Sequence, residues 1–217
     1  SSPVNFQAGR LRRSIVSVMQ IWKFAGVATL SGLVATAGLA DCPQAMDAAK
    51  GIVLTRSDTL LESHFRMAAT GLSEDRTTKR GAEIEEVSWT YLHALAPHQK
   101  TSAKGNWSFD YSTPTAGLDD LPKLKVWQSE VRITAGGQQL ASGHVTKTFL
   151  GSEMIKVGKC KYEAWAVDDR LVLGQDDSTY RQFYVPTLGL VVASFLLGPD
   201  GSVVSGVEYD KIAVGDK

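Results

Sequence analysis

The sequence predicts a mainly β protein. We expect a single domain of about ten short antiparallel strands, forming a curved open sheet (half-barrel) or a barrel, with one or two short helices. Three observations carry this prediction. Apolar and aromatic residues recur at alternate positions in run after run, the period of a strand with one buried face. Gly, Pro, Asn and Asp clusters cut these runs at short intervals. Long amphipathic helices, which parallel βαβ units need as crossovers, are missing from the pattern.

The chain opens with material that reads as processing rather than fold. Residues 24–40 (FAGVATLSGLVATAGLA) carry no charge, follow Lys23 and end in small residues before Asp41. This is the arrangement of a secretory signal peptide, assigned here to residues 19–40 and starting at Met19. Residues 1–18 then read as an extension upstream of the true start, and residues 41–217 as the mature domain. Asp41 before Cys42 does not suit a lipidation box, which needs a small residue there. The four basic residues of the first forty positions have no acidic counterpart. Without them 19 basic face 23 acidic residues, a net charge of −4. That balance argues against nucleic acid as a partner. No membrane span is expected in the mature chain. The expected location is periplasmic or secreted.

The two cysteines, Cys42 and Cys160, both lie in the mature chain, and export exposes them to an oxidising compartment. We expect a disulfide that pins the new N-terminus to the sheet across more than half of the chain's length.

Taken in order, residues 43–50 predict a helical turn or two stopped by Gly51. Ile52-Val53-Leu54 reads as a short strand, with a turn at Arg56-Ser57-Asp58. Residues 60–69 (LLESHFRMAA) suit strand or helix and are assigned to a strand from their neighbours. The polar stretch 71–82 reads as an exposed hairpin or edge. Val87, Trp89 and Tyr91 alternate as a strand does, 97–105 is a polar break, and Trp107, Phe109 and Tyr111 share one face. Residues 112–123 read as a loop with one helical turn at 118–121. The clearest hairpin joins 124–134 to 140–150 through Gly136-Gly137. A short strand at 154–157 follows, then 160–167, ended by a turn at Asp168-Asp169. After another short run at 171–173, Tyr180, Gln182 and Tyr184 face one way along 179–185. Leu190–Leu197 lacks polar alternation and is expected to be a central strand buried on both faces. Gly198-Pro199-Asp200-Gly201 turns the chain into 203–209.

The aromatic strands and the stretch Tyr184-Val185-Pro186-Thr187-Leu188-Gly189-Leu190-Val191, with the hairpin after it, resemble exported β proteins of Gram-negative bacteria. The resemblance covers roughly residues 106–209. It implies an open antiparallel sheet curled around a helix or loop, as in the lipoprotein-carrier fold, and it brings no catalytic residues.

Catalytic signatures are absent, with no G-x-S-x-G and no S-x-x-K. His93 and His98 stand five apart across Pro97, not at the spacing of a helical zinc pair, and no metal or other cofactor is expected. The acidic pairs Asp119-Asp120, Asp168-Asp169 and Asp176-Asp177 are assigned to turns. The aromatic set Trp127, Trp165, Tyr180 and Tyr184 is the candidate lining of a ligand groove, since Trp and Tyr combine apolar area with a polar handle. The expected function is that of an exported, non-enzymatic protein binding an apolar small molecule or an envelope protein. Two alternatives are kept: an envelope hydrolase assembled from His144, Asp168 and Asp169, and a structural subunit of an oligomer.

Overall fold

The structure, a computed structural model, describes residues 42–215. The proposed signal peptide, its cleavage site and the segment before it lie outside the described residues. Thirteen strands form one antiparallel sheet: β1 Ile52–Arg56, β2 Leu61–Ala68, β3 Gly71–Arg80, β4 Glu83–His93, β5 Ala96–Ser102, β6 Gly105–Tyr111, β7 Val126–Ala135, β8 Gln138–Val157, β9 Cys160–Leu173, β10 Asp176–Val185, β11 Leu190–Leu197, β12 Val203–Glu208 and β13 Lys211–Val214. The mainly β, open-sheet expectation stands, with thirteen strands rather than about ten.

The sheet order is a meander from β1 to β12, except that β13 pairs with β1 at the far end. The last two strands therefore form the two free edges, although only Tyr209 and Asp210 separate them in the chain. The sheet must curl until its ends meet. At the meeting point Arg56 Nη1 donates to the Gly206 carbonyl at 2.8 Å, and the Asp210 amide donates to the Thr55 carbonyl at 2.9 Å. β12 pairs with β11 and β13 pairs with β1, but not with each other. The sheet is curled and remains open, so a closed barrel is ruled out for the described residues.

Local sequence explains most of these strands. In β2, Leu61, Ser63 and Phe65 are buried while Glu62, His64 and Arg66 are exposed, and this period of two decides between the strand and helix readings. Gly136 and Gly137, at φ +56° and +80°, make the two-residue turn between β7 and β8 that the right-handed strand twist favours. Several runs assigned separately are in fact continuous. The expected 140–150 and 154–157 strands are one strand of 20 residues, β8, with a register shift between Phe149 and Gly151. Likewise β9 runs through Asp168-Asp169, where a turn was expected. The side chains of Asp168 and Asp169 point to opposite faces and find cations, so the backbone has no need to turn there. The polar break at 97–105 is largely β5. The stretch 71–82, expected as an exposed hairpin or edge, is β3 with its turn into β4; it is one arm of a hairpin and interior to the sheet rather than at its edge. Leu190–Leu197 is a strand, but it lies beside the edge strand β12 and is only partly buried toward its end.

Two apolar clusters hold the curl. In the first, Ile52, Leu54, Phe65 and Leu72 of β1–β3 pack with Val157, Tyr162, Ala164, Leu190 and Val192 of β8, β9 and β11. Burying side chains of this size contributes about 1.5–3 kcal/mol each, so this contact between the sheet's two ends is the main force for curling. The second cluster joins Leu95, Trp127, Val131, Val145, Val167 and Tyr184 around the connection between β6 and β7. That connection is a 3-10 turn, Thr115–Asp120, running into the one-turn helix α1, Leu121–Leu124. It inserts Leu118 and Leu121, both fully buried.

The far half of the β8–β9 hairpin extends beyond both flanking strands, since β7 pairing stops at Thr148 and β10 pairing at Trp165. This arm reaches the meeting point of the sheet ends. A Cβ at Gly158, whose φ is +59°, would lie 2.9 Å from the Asp210 carbonyl oxygen. The expected Cys42–Cys160 disulfide is present and ties the arm to the segment before β1. Beside it, Tyr162 Oη donates to the Pro43 carbonyl at 3.2 Å. No described helix is long and apolar enough to cross a membrane.

Candidate functional site

Curling encloses a cavity of about 490 Å³ between β2–β5 on one wall and β10–β12 on the other. Each wall is built by alternation. Leu72, Glu74 and Arg76 face inward from β3, opposite Tyr91, Trp89 and Val87 of β4. Across the cavity Tyr180 and Gln182 of β10 stand beside Leu196 and Ser194 of β11. Phe65, Val191 and Val207 complete an apolar surface. Two larger hollows of about 580 and 650 Å³ lie elsewhere, the first lined by polar groups such as Asp110, Arg132 and His144, the second by a mixture that includes Arg56, Asp58, Lys156, Phe195 and Val203.

One polar cluster is set into this apolar wall. The Glu74 side chain is fully buried, Arg76 Nε donates to its Oε1 at 2.7 Å, and Tyr91 Oη donates to its Oε2. Both carboxylate oxygens are thereby engaged. Burial works against the charge of Arg76, but the Glu74 carboxylate outweighs it and holds the guanidinium above its ordinary value. Burial, reinforced by Glu74, pushes the Tyr91 phenol well up. Tyr209, also raised by burial, shares a 2.8 Å hydrogen bond with Ser63 Oγ.

A second polar group lies within the other core cluster. Lys147 is 1% exposed, and its Nζ lies 2.7 Å from Asp169 Oδ1. The approach is an ion pair rather than a well-directed hydrogen bond, since that oxygen has no hydrogen-bond partner among the described residues. His93 Nδ1 accepts the Leu95 amide hydrogen, which places the ring proton on Nε2, 3.5 Å from Asp119 Oδ1. Burial lowers the His93 pKa, with Lys147 acting the same way against Asp119. The His93 ring packs 5.2 Å from that of Tyr184, whose phenol burial pushes up to about 12.

The sequence-predicted lining residues separate in the structure. Trp127 is buried in the second core cluster and donates from Nε1 to the Pro114 carbonyl at 3.2 Å. Tyr184 is buried there too, and Trp165 packs edge-on against Tyr184 and Phe149. Tyr180, 41% exposed, is the member of the set that lines the cavity. The hydrolase residues do not gather. His144 is exposed on the outer surface, Asp168 binds Arg181 through both oxygens, and Asp169 faces Lys147. Among the described residues no three His, Cys, Asp or Glu side chains gather as a metal site would require.

Trp89, Tyr91, Glu74 and Arg76 were not singled out from the sequence. The alternation of Val87, Trp89 and Tyr91 was visible. Glu74 and Arg76, however, sit in a ten-residue strand whose buried apolar residue is Leu72 alone, too little to reveal an inward face. Comparisons with protein-family models, curated proteins and solved structures found no match.

Proposed function

We propose that this is an exported binding protein that takes an apolar small molecule into the cavity between β2–β5 and β10–β12. The observation that carries the reading is the cavity itself. It is concave and mainly apolar, built on strands rather than loops, and its volume falls in the roughly 300–1,000 Å³ range of small-molecule sites. Its lining joins strands that are far apart in the sheet order, so the curl that costs the sheet its regularity is also what makes the cavity. The Cys42–Cys160 bridge and the signal-like segment support a periplasmic setting.

Trp89 lies in the wall and reports on occupancy. The test is titration of the disulfide-intact protein with N-phenyl-1-naphthylamine, read by probe emission and by energy transfer from Trp89. Saturable binding is expected. It should be weakened at least several-fold by Ser205→Trp, which places a large ring at the cavity from the edge strand β12. Probe binding that is absent, or indifferent to both Ser205→Trp and Trp89→Phe, would overturn the proposal.

A further inference from the structure

We infer that the ligand is an anionic single-chain amphiphile, its carboxylate or phosphate held by Arg76, with Arg80 at the mouth, and its tail lying against Trp89, Val191 and Leu196. This deepens the binding reading above and rests on it.

The cavity wall carries an unbalanced positive charge. Glu74, Arg76 and Arg80 are its charged groups, leaving one positive charge in excess. Glu74 cannot serve a cationic ligand, because Arg76 occupies Oε1 and Tyr91 occupies Oε2. Arg76, in contrast, uses only Nε on Glu74. Its two terminal nitrogens have no acceptor among the described residues, although the side chain is 32% exposed and lines the cavity. A guanidinium held by one edge and open at the other presents paired donors to a carboxylate or phosphate, and its partial burial strengthens the contact. Arg80 lies on the same face of β3, four residues and about 13 Å further along. It is exposed, so it stands at the mouth, where it would draw an anion toward the deeper Arg76. An amine or quaternary ammonium head would meet Arg76 directly and be repelled. A neutral molecule would leave the terminal nitrogens of Arg76 unpaired once it displaced water.

The test compares probes of one chain length on the full, disulfide-intact protein, each below its micelle concentration. Palmitate, hexadecyl phosphate, hexadecanol and hexadecyltrimethylammonium are titrated by calorimetry and Trp89 fluorescence, with inorganic phosphate alone as a fifth arm. The anionic probes should bind about tenfold or more tightly than hexadecanol, and the ammonium more weakly still. A preference between palmitate and hexadecyl phosphate identifies which head the site is built for. Arg80→Gln should reduce the ratio of palmitate to hexadecanol affinity several-fold. Glu74→Gln combined with Arg76→Gln removes the buried pair together, so neither charge is left unpaired, and should lower the ratio to the several-fold share that Arg80 supplies; with Arg80→Gln added, the ratio should come close to one. Equal affinity of wild-type protein for palmitate and hexadecanol would overturn the head-group inference while leaving the apolar cavity standing. Inorganic phosphate binding as tightly as hexadecyl phosphate would overturn the amphiphile. Failure of all four chains to bind would sink the cavity reading itself.

Discussion

Removing the Cys42–Cys160 bridge should weaken the fold heavily while leaving every strand intact. The bridge spans a sequence separation of 118, which puts its chain-entropy contribution at about 5 kcal/mol. Compactness of the reduced unfolded chain makes this an upper figure. The double substitution Cys42→Ala with Cys160→Ala avoids stray thiols and leaves the Tyr162–Pro43 hydrogen bond and the Met67–Ala48 backbone bond to hold the segment before β1. Urea unfolding followed by tryptophan fluorescence should show a loss of roughly 3–5 kcal/mol against the oxidised wild type. At about 2–4 °C per kcal/mol for a domain of this size, the melting temperature should fall by roughly 6–20 °C. Wild-type protein held in reductant should follow the double variant, and thiol labelling without reductant should find no free cysteine. A loss below about 1 kcal/mol, with the bridge shown to be intact in the wild type, would refute the loop-closure reasoning. The arm and the segment before β1 would then be held together by packing alone.

Lys147→Met should cost about 3–5 kcal/mol, because it leaves Asp169 largely buried without a cation; adding Asp169→Leu should recover most of the loss, as a denaturation series on the three variants would show. The His93 pKa is lowered from 6.5 in the folded protein by burial and by Lys147, against Asp119. As pH falls through the ordinary value, the unfolded chain takes up the proton first. The stabilisation is therefore complete above about pH 6.5 and declines below it until the folded pKa is reached. Melting temperatures from pH 7.5 to 5 should fall more steeply for wild type than for His93→Gln, and parallel curves would refute this. Gly158→Ala should lose about 1–2 kcal/mol from the positive φ, and the close approach to Asp210 should also raise amide exchange across the tip of the β8–β9 arm.

Those features of the molecule that depend on neighbours in the chain were readable in advance. Alternation identified β4, β6 and β10, and Gly136-Gly137 placed the β7–β8 turn. Two cysteines after a signal-like segment were enough to pair Cys42 with Cys160. Errors arose where a polar residue has a partner that is distant in sequence. Asp168 and Asp169 looked like a turn because Arg181 and Lys147, which satisfy them within strands, are brought alongside only by sheet pairing. Aromatic residues posed the opposite difficulty. Trp127 and Tyr184 have the same chemistry as Trp89 and Tyr91, and only the path of the sheet puts the first pair in a core and the second against a cavity.

The chain by itself determined a β protein of Gly-punctuated strands with a bridge between its two cysteines, since period, turn chemistry and cysteine count are local or compositional properties. Tertiary structure alone decided that the sheet curls without closing. It also set a buried Glu74 against a half-free Arg76 and placed both in a cavity. That outcome depends on β1–β3 meeting β9–β11, a contact between the two ends of the meander that no local pattern encodes.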